Sequence, residues 1–529
     1  MLLKPSRETS ALTPMIQIKI DSSVLAALKK AMPKTDKAER ALGKYVATLE
    51  TMMDKSLLRA NDNNYRFFKR FQLSLHELMR ATGEVRIGGR RTYLHKWLDD
   101  NNLALVNVVK TGLKGDTFSV VNLTSIATAT DAVQATALAK MSVQSLEAFL
   151  NDKTVADQAY FDRFFPKFRS LSKREVRKQY DWCEIDVGSL KEYVFRLVHK
   201  SDELNAVERD RTLKQAETIL RIAQFTNGRL PQRKNNNFFG RNYYYGLSVQ
   251  SARKSLREAM LGDCYEYDLR SSVISWKLGF AEMLLKHEGS REKLSDAFGA
   301  TQAYLDDKQI YVNDVREQTF GADIAGDAEL KNSLIKEALT AMSFGARMHT
   351  QGWIDASGNV MSPALVTIIK DARACKLFVA SDFVKLFWAE QKRLDRFIFR
   401  HFTTVDKSLA SSIRLQTESG LVSKSKVLAY LYQHAETFVM DIVRKELKIR
   451  KHAVVANVHD GIYVRRRIAR KIKAEIERRM RGTTGIRYWA FKEERLRACV
   501  GVSAQLKREK LAFRSSPQTS LSNMISDSV

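Results

Sequence analysis

Two short apolar stretches, 192 residues apart, each deliver an aspartate to the end of a strand, and this pairing restricts the fold of the 529-residue chain more than any other feature. The first is CYEYDLRSSVISWKLGF at 264–280. Tyr265 to Leu269 alternate as a strand does and Ser271 to Phe280 continue with helical spacing, so Asp268 stands where strand hands over to helix. The second, VVANVHDGIYVRRR at 454–467, predicts an apolar strand, a tight turn at His459-Asp460-Gly461 and a second strand. A single aspartate in either place is ordinarily a turn former or a helix cap. Two carboxylates brought together on neighbouring strands repel each other unless a cation lies between them. A pair of Mg²⁺ ions held this way, or Mn²⁺ in their place, can activate a hydroxyl nucleophile and stabilise a phosphate leaving group.

A third segment, KNSLIKEALTAMSFGARMHTQGW at 331–353, opens as a helix with Lys336 and Phe344 eight residues apart, roughly on one face. A lysine so placed can pair with phosphates while an aromatic covers a base or sugar. Gly345 lets another backbone or a base approach closely. Taken singly, Lys336 reads as a surface lysine and Phe344 as core.

The charge balance agrees with an anionic partner. Lys and Arg number 88 against 60 Asp and Glu, a formal charge of +28, which a polyanion would neutralise. A membrane surface is the competing partner, but no apolar run approaches eighteen residues and no secretion signal opens the chain. Cys183, Cys264, Cys375 and Cys499 lie far apart, without disulfide or zinc spacing. The expectation is a reduced, intracellular protein, bacterial cytoplasm included, with no membrane partner. At 44% apolar residues there is material for two or three cores.

Along the chain, an N-terminal helical region is expected over 1–74. A winged-helix-like subdomain follows over 75–123: LHELMRATGE as one helix, RRTYLHKWLDDNN as a second, and ALVNVVKTGLKGDTFSVVNL as a hairpin, with Arg90, Arg91, Lys96 and Lys110 nearby. Its plainer reading is a structural helix-hairpin element. Residues 124–235 read as helices, a thumb-like or channel region. There RFFPKFRSLSKREVRKQYDW interleaves aromatics with cations, which suits a nucleic-acid channel and equally an amphipathic helix with a solvated basic face. GRLPQRKNNNFFGRN at 228–242 breaks the helical pattern and marks a domain boundary. The main domain is then 236–510, with a disordered tail over 511–529.

In order and content these segments resemble the family A polymerase superfamily, which contains DNA polymerase I-type enzymes and the single-subunit phage and mitochondrial RNA polymerases. YEYDLRSS resembles motif A and VHDGIYV motif C, which makes Asp268 and Asp460 the metal ligands and His459 the partner of the second. IKEALTAMSFGAR resembles motif B, the fingers helix. The resemblance implies that Lys336 binds the nucleotide's phosphates and that Phe344, Gly345 and Val273 surround its sugar. FFGRNYY resembles the Gly-Arg motif, LSVQSARKSLREAM the segment before motif A, and LYQHAETFVMDIV the helix before motif C. Through them Arg241, Tyr244, Arg257 and Gln433 are expected to contact template or primer, with Glu436 near the site. The likeness covers roughly 235–500.

Several positions depart from the family. Asn332 stands where an arginine is usual, beside Lys331. Gly461 stands where DNA polymerases carry Glu and RNA polymerases Ser, and Val273 where they carry Glu and Gly. Phe344 lacks the hydroxyl of the usual Tyr, so Val273 and Phe344 together leave no polar group unpaired. The missing gate glutamate leans towards an RNA product. The compact spacing, 27 residues from Arg241 to Asp268 and 116 from Phe344 to Asp460, leans towards DNA. The expected fold is α+β: a mainly helical N-terminal region with the winged-helix-like element, then a right-handed palm, fingers and thumb with a small antiparallel palm sheet. The expected activity is that of a template-directed nucleotidyltransferase using nucleoside triphosphates and two Mg²⁺ ions, leaning to a DNA-directed RNA polymerase. A family A-like DNA polymerase without exonuclease is the first alternative, and a non-catalytic replication initiator the second.

Overall fold

The computed structural model describes residues 16–32, 35–57, 70–110, 119–131, 141–152, 155–200, 206–236, 238–287, 297–321, 328–354, 360–361, 363–405, 412–417 and 419–515. The chain divides into two compact units: 1–235 with 243–264 and 495–529, and 236–242 with 265–494.

The first unit begins with strand β1 (Ile16–Ile20), helices α1 (Ser22–Ala31) and α2 (Thr35–Leu57), and strand β2 (Arg70–Leu73). Asp21 caps α1 by accepting from Ser23 N, and Ser74 caps α3 (Leu75–Thr82) by accepting from Glu77 N. The hairpin β3 (Glu84–Ile87) and β4 (Arg90–Tyr93) leads into α4 (Leu94–Asp100), then β5 (Val106–Lys110), β6 (Ser119–Leu123) and β7 (Ala127–Asp131). Three strands form a sheet in the order β2-β6-β5, and β1 pairs antiparallel with β7. Tyr45, Leu49, Phe71, Leu78 and Leu98 fill the shared core. The segment expected as one helix from Arg90 is thus strand for its first four residues. Gly88 and Gly89 adopt φ of 55° and 81°, the paired positive values that a two-residue hairpin needs. The turn expected after Lys110 lies outside the described residues.

The unit continues with α5 (Val143–Asn151), α6 (Val155–Phe164), α7 (Lys173–Gln179), β8 (Tyr180–Glu184), α8 (Val187–His199), α9 (Ala206–Phe225), β9 (Arg229–Asn236), β10 (Asn242–Tyr245) and α10 (Lys254–Leu261). The sheet order is β10-β9-β8. The segment whose Gly, Pro and Asn signal a break is therefore largely strand.

In the second unit β11 (Cys264–Leu269) runs into α11 (Ser272–His287), followed by α12 (Gly299–Asp306), α13 (Lys308–Phe320) and α14 (Ala328–Ser343). A two-stranded pair, β12 (Trp353–Ile354) and β13 (Val360–Met361), precedes α15 (Ala364–Ile369), α16 (Ala372–Ala380), α17 (Asp382–Val405) and α18 (Lys424–Ile449). The hairpin β14 (Val454–Val458) and β15 (Gly461–Val464), α19 (Arg470–Thr484) and β16 (Phe491–Leu496) complete it. The sheet order is β14-β15-β11-β16, with β11 antiparallel to β15. Mixed helices and small antiparallel sheets make the chain α+β.

Two helices carry most of the packing around this sheet. Helix α18 buries Leu428, Tyr432, Val439, Val443 and Leu447 at helical spacing. Helix α11 is buried almost all round, and a β-carbon on Gly279 would lie 2.4 Å from Ile486.

Returning to the first unit, a last helix, α20 (Val502–Ser515), is tied to α8 where Ser503 Oγ donates to Glu192 at 2.7 Å. The expected disordered tail thus begins with helix, and 516–529 lie outside the described residues. No helix among the described residues is long and apolar enough to cross a membrane.

Candidate active site

The register of the four-stranded sheet sets the two aspartates together. Asp268 on β11 lies opposite Gly461 on β15, and Leu269 N donates to Asp460 O at 3.0 Å across the same gap. The backbone is unusual at both strand ends: Ser271 has φ of 45° and His459 of 50°, left-handed values that residues with a β-carbon seldom adopt. Such conformations concentrate where geometry is imposed by function.

Asp268 shares its face of β11 with Glu266, two residues back, which accepts a hydrogen bond from Tyr463 OH. Burial, together with the charges of Asp460 and Glu266, pushes the Asp268 carboxyl up to about 8. These carboxylates crowd each other, and only the charge of Lys492 acts in the opposite direction among the causes of the Asp268 shift. Ser272 Oγ donates to Asp460 Oδ2 at 2.9 Å and is 2.7 Å from Tyr432 OH. Arg241 Nε donates to Glu436 at 2.7 Å, and its guanidinium lies 5.4 Å from the Tyr432 ring centre. A polar chain therefore runs Arg241, Glu436, Tyr432, Ser272, Asp460. Burial drives both the Glu436 and the Tyr432 groups above their ordinary values.

Lys308 and Lys492 act on Asp268. Lys308, at the start of α13, is pushed down to about 8 by burial and then by the charges of Lys336, Lys492 and Arg270, with Asp268 opposing. Arg270 follows the strand directly and donates to the carbonyl of Asp306 at 3.1 Å, which fixes it against the end of α12. Cations held close together at such a cost are relieved by an anion.

The remaining candidates fall as follows. Lys336 is half-buried on α14, while Phe344 lies one residue beyond that helix, 55% exposed, with its ring 5.7 Å edge-on to Tyr432. Gly345 has φ of 92° and open space where a β-carbon would sit. Val273 is buried. Gln433 Oε1 is buried with no hydrogen-bond partner among the described residues. Asn332 Oδ1 is 3.5 Å from Arg316, and Lys331 lies over the Phe320 ring at 5.9 Å. Tyr244 and Arg257 belong to the first unit, where Tyr244 OH donates to Asp181 at 2.9 Å and Arg257 to Ala252 O at 3.2 Å.

Three arginines after β15 are paired with acids. Arg467 bonds Glu493 at 2.6 Å, Arg478 bonds Glu475 at 2.7 Å, and Arg479 bonds Glu446 at 2.6 Å. Ile468, Ile476 and Met480 are buried and Ile472 is half-buried. Sequence reasoning missed Ser272, Tyr432, Glu266, Lys308 and Arg270. Four of them lie within the motifs already quoted, so position was available and partnership was not.

Among the described residues no group of three or more His, Cys, Asp or Glu donors converges as a metal cage. An ion here would rest on two carboxylates and complete its shell with water and substrate oxygens, which is how Mg²⁺ is commonly held.

No family model and no curated protein sequence matches the chain. Among solved structures it is similar to the POL domain of Pol1 from M. smegmatis in complex with DNA primer-template and dNTP, at a TM-score of 0.34 and 10% identity. That match covers 69% of this chain and 66% of the other, so the chain spans just under two thirds of that length.

Proposed function

We propose that the second unit is a template-directed nucleic-acid polymerase, with Asp268 and Asp460 holding divalent cations. The observation that carries this reading is the aspartate pair at the strand ends, crowded by Glu266, with the charges of Lys308 and Lys492 acting on Asp268 and Lys336 acting in turn on Lys308. A site with negative groups at its base and positive groups around it suits a nucleotide triphosphate bound through metal ions. When bound, the ions lower the pKa of the attacking hydroxyl and stabilise the departing pyrophosphate.

The protein's own groups do the rest. Ser272 holds Asp460 through Oδ2, leaving the other oxygen for a ligand. Lys336 and Lys308 neutralise the phosphates, which lets the nucleotide remain close to the carboxylates. Phe344, largely exposed, offers its ring to the sugar or base. Arg241 is engaged with Glu436, so its part is to position the helix that carries Tyr432.

For the product we favour RNA. Val273 is buried and apolar where a gate glutamate would stand. A β-carbon on Gly461 would lie 3.6 Å from Asp268 Oδ1 and 3.7 Å from Glu266 Oε1, so a glutamate there would add a fourth acid beside Asp268, Asp460 and Glu266. The compact spacing of the motifs favours the DNA reading. Incorporation assayed on primed and unprimed templates, with ribonucleotides and deoxyribonucleotides separately and with Mg²⁺ or Mn²⁺, decides between them. Incorporation that disappears in Asp268→Asn and Asp460→Asn, with template binding retained, is the expected result. No incorporation under any of these conditions sinks the enzyme reading.

A further inference from the structure

The aromatic and basic segment at 161–184 is not used by the site above, and the structure gives it a definite surface. Strand β8 is an edge strand, and β9 pairs with it so that Trp182 faces Pro231, Tyr180 faces Arg233 and Glu184 faces Arg229. Alternation puts Trp182, Arg229 and Arg233 on one face of the sheet. Trp182 is 42% exposed and Phe225, at the end of α9, is 38% exposed.

Neither ring is loose. The Trp182 ring meets Phe168 edge-on at 5.6 Å, and Phe168 in turn packs on Tyr180 at 4.9 Å and on Phe161 at 5.2 Å. Phe225 rests on Phe161 at 5.2 Å, and the Arg169 guanidinium lies 5.4 Å from its ring centre. One buried aromatic cluster thus fixes two solvent-facing rings. A tryptophan held rigidly yet partly open to solvent is a surface on which a planar ligand can stack.

Charge selects that ligand. Residues 161–184 contain seven Lys and Arg against four Asp and Glu, and 229–234 add three cations and no acid. Three of the acids are already engaged: Asp162 with Arg169 at 3.1 Å, Asp181 with Lys234 at 2.8 Å, and Glu175 in the capping box of Ser172. The cations in surplus, among them Arg174, Arg177 and Lys178 on α7, are exposed. Aromatic faces offered beside a phosphate-binding rim match a strand whose bases are unpaired, since a duplex keeps its base faces stacked inside.

We propose that this face of the first unit binds single-stranded nucleic acid, with a base stacked on Trp182 and phosphates held by Arg229 and Arg233. The surface goes beyond the polymerase reading and stands without it. Its test is equilibrium binding of the full chain to labelled oligothymidylate and oligouridylate, to a duplex of equal length, and to anionic phospholipid vesicles. Trp182→Ala should weaken both single strands about tenfold, as loss of one stacked base does, and leave the duplex unchanged. Trp182→Phe should keep most of the affinity, which separates stacking from a folding defect. Arg229→Ala, an exposed change, should flatten the salt dependence of single-strand binding. Unchanged single-strand affinity in Trp182→Ala overturns the proposal, as does an equal loss for duplex or an effect confined to vesicles. The readout needs no turnover, so failure of nucleotide incorporation leaves it standing, and its own failure leaves the Asp268–Asp460 site untouched.

Discussion

Gly240 has φ of 89°, and a β-carbon there would come within 2.9 Å of the His434 ring. Its neighbour Arg241 reaches Glu436 only because the chain turns so sharply against α18. Gly240→Ala should therefore destabilise the second unit by about 1–3 kcal/mol, read as a lower unfolding temperature. Arg241→Ala is more severe, because Glu436 is 1% exposed and would be left charged without its partner. Loss of one member of such a pair costs about 3–5 kcal/mol, and Arg241→Ala with Glu436→Leu should recover most of it in a double-mutant cycle. Ser272→Ala removes the hydroxyl that holds Asp460, so kcat should fall about tenfold with template affinity unchanged; an unaltered kcat would remove Ser272 from the site. Asp268 and Asp460 were legible in the sequence because each stands where a residue period changes. Ser272 and Tyr432 were not, because their hydrogen bond joins residues 160 positions apart.

Helix α11 is the element on which this unit is assembled. Lys277, inside it, is 3% exposed, forms an ion pair with Asp395 on α17 and donates to Ser343 O at the end of α14. Burial drives the Lys277 ammonium below its ordinary value, while Asp395 opposes that shift. Lys277→Met should cost about 3–5 kcal/mol, and pairing it with Asp395→Leu should return most of the loss; two independent, additive penalties would show that the ions do not act as a pair. In the first unit, Tyr45 OH lies 2.8 Å from His95 Nδ1, joining α2 to α4. Burial lowers the His95 pKa, so the folded state binds fewer protons than the unfolded one. The stability is complete above about pH 6.5 and is lost as pH falls below it, and hydrogen exchange in α2 should quicken there in the native chain but not in His95→Phe. Elements were readable where periodicity was strong, as in β11, α14 and α18. They were misread at Arg90–Tyr93 and Arg229–Asn236, where local composition pointed to helix or break. Pairing across β3–β4 and β8–β9 decides those segments instead.

At the scale of the molecule, the charge of +28 predicts steep salt dependence. If about 6–10 phosphates are contacted, template affinity should fall by roughly 10³–10⁵ between about 50 and 200 mM salt, and a flat response would remove the polyanion from the argument. The chain also leaves the first unit and returns to it twice, at 243–264 and after 494. A linear reading that places one boundary near 235 cannot see such interleaving, because contact between distant segments leaves no local pattern. From the sequence alone come the strongly periodic strands and helices such as β11, α14 and α18, the excess of positive charge and the placing of the two aspartates at strand ends, all set by local periodicity and composition. Only the tertiary structure decides that Asp268 faces Gly461, that Arg241 is spent on Glu436, that Lys308 and Arg270 join the site, and that Trp182 faces solvent. Each of these depends on distances between residues far apart in the chain, and those distances exist only once the apolar faces have been buried together.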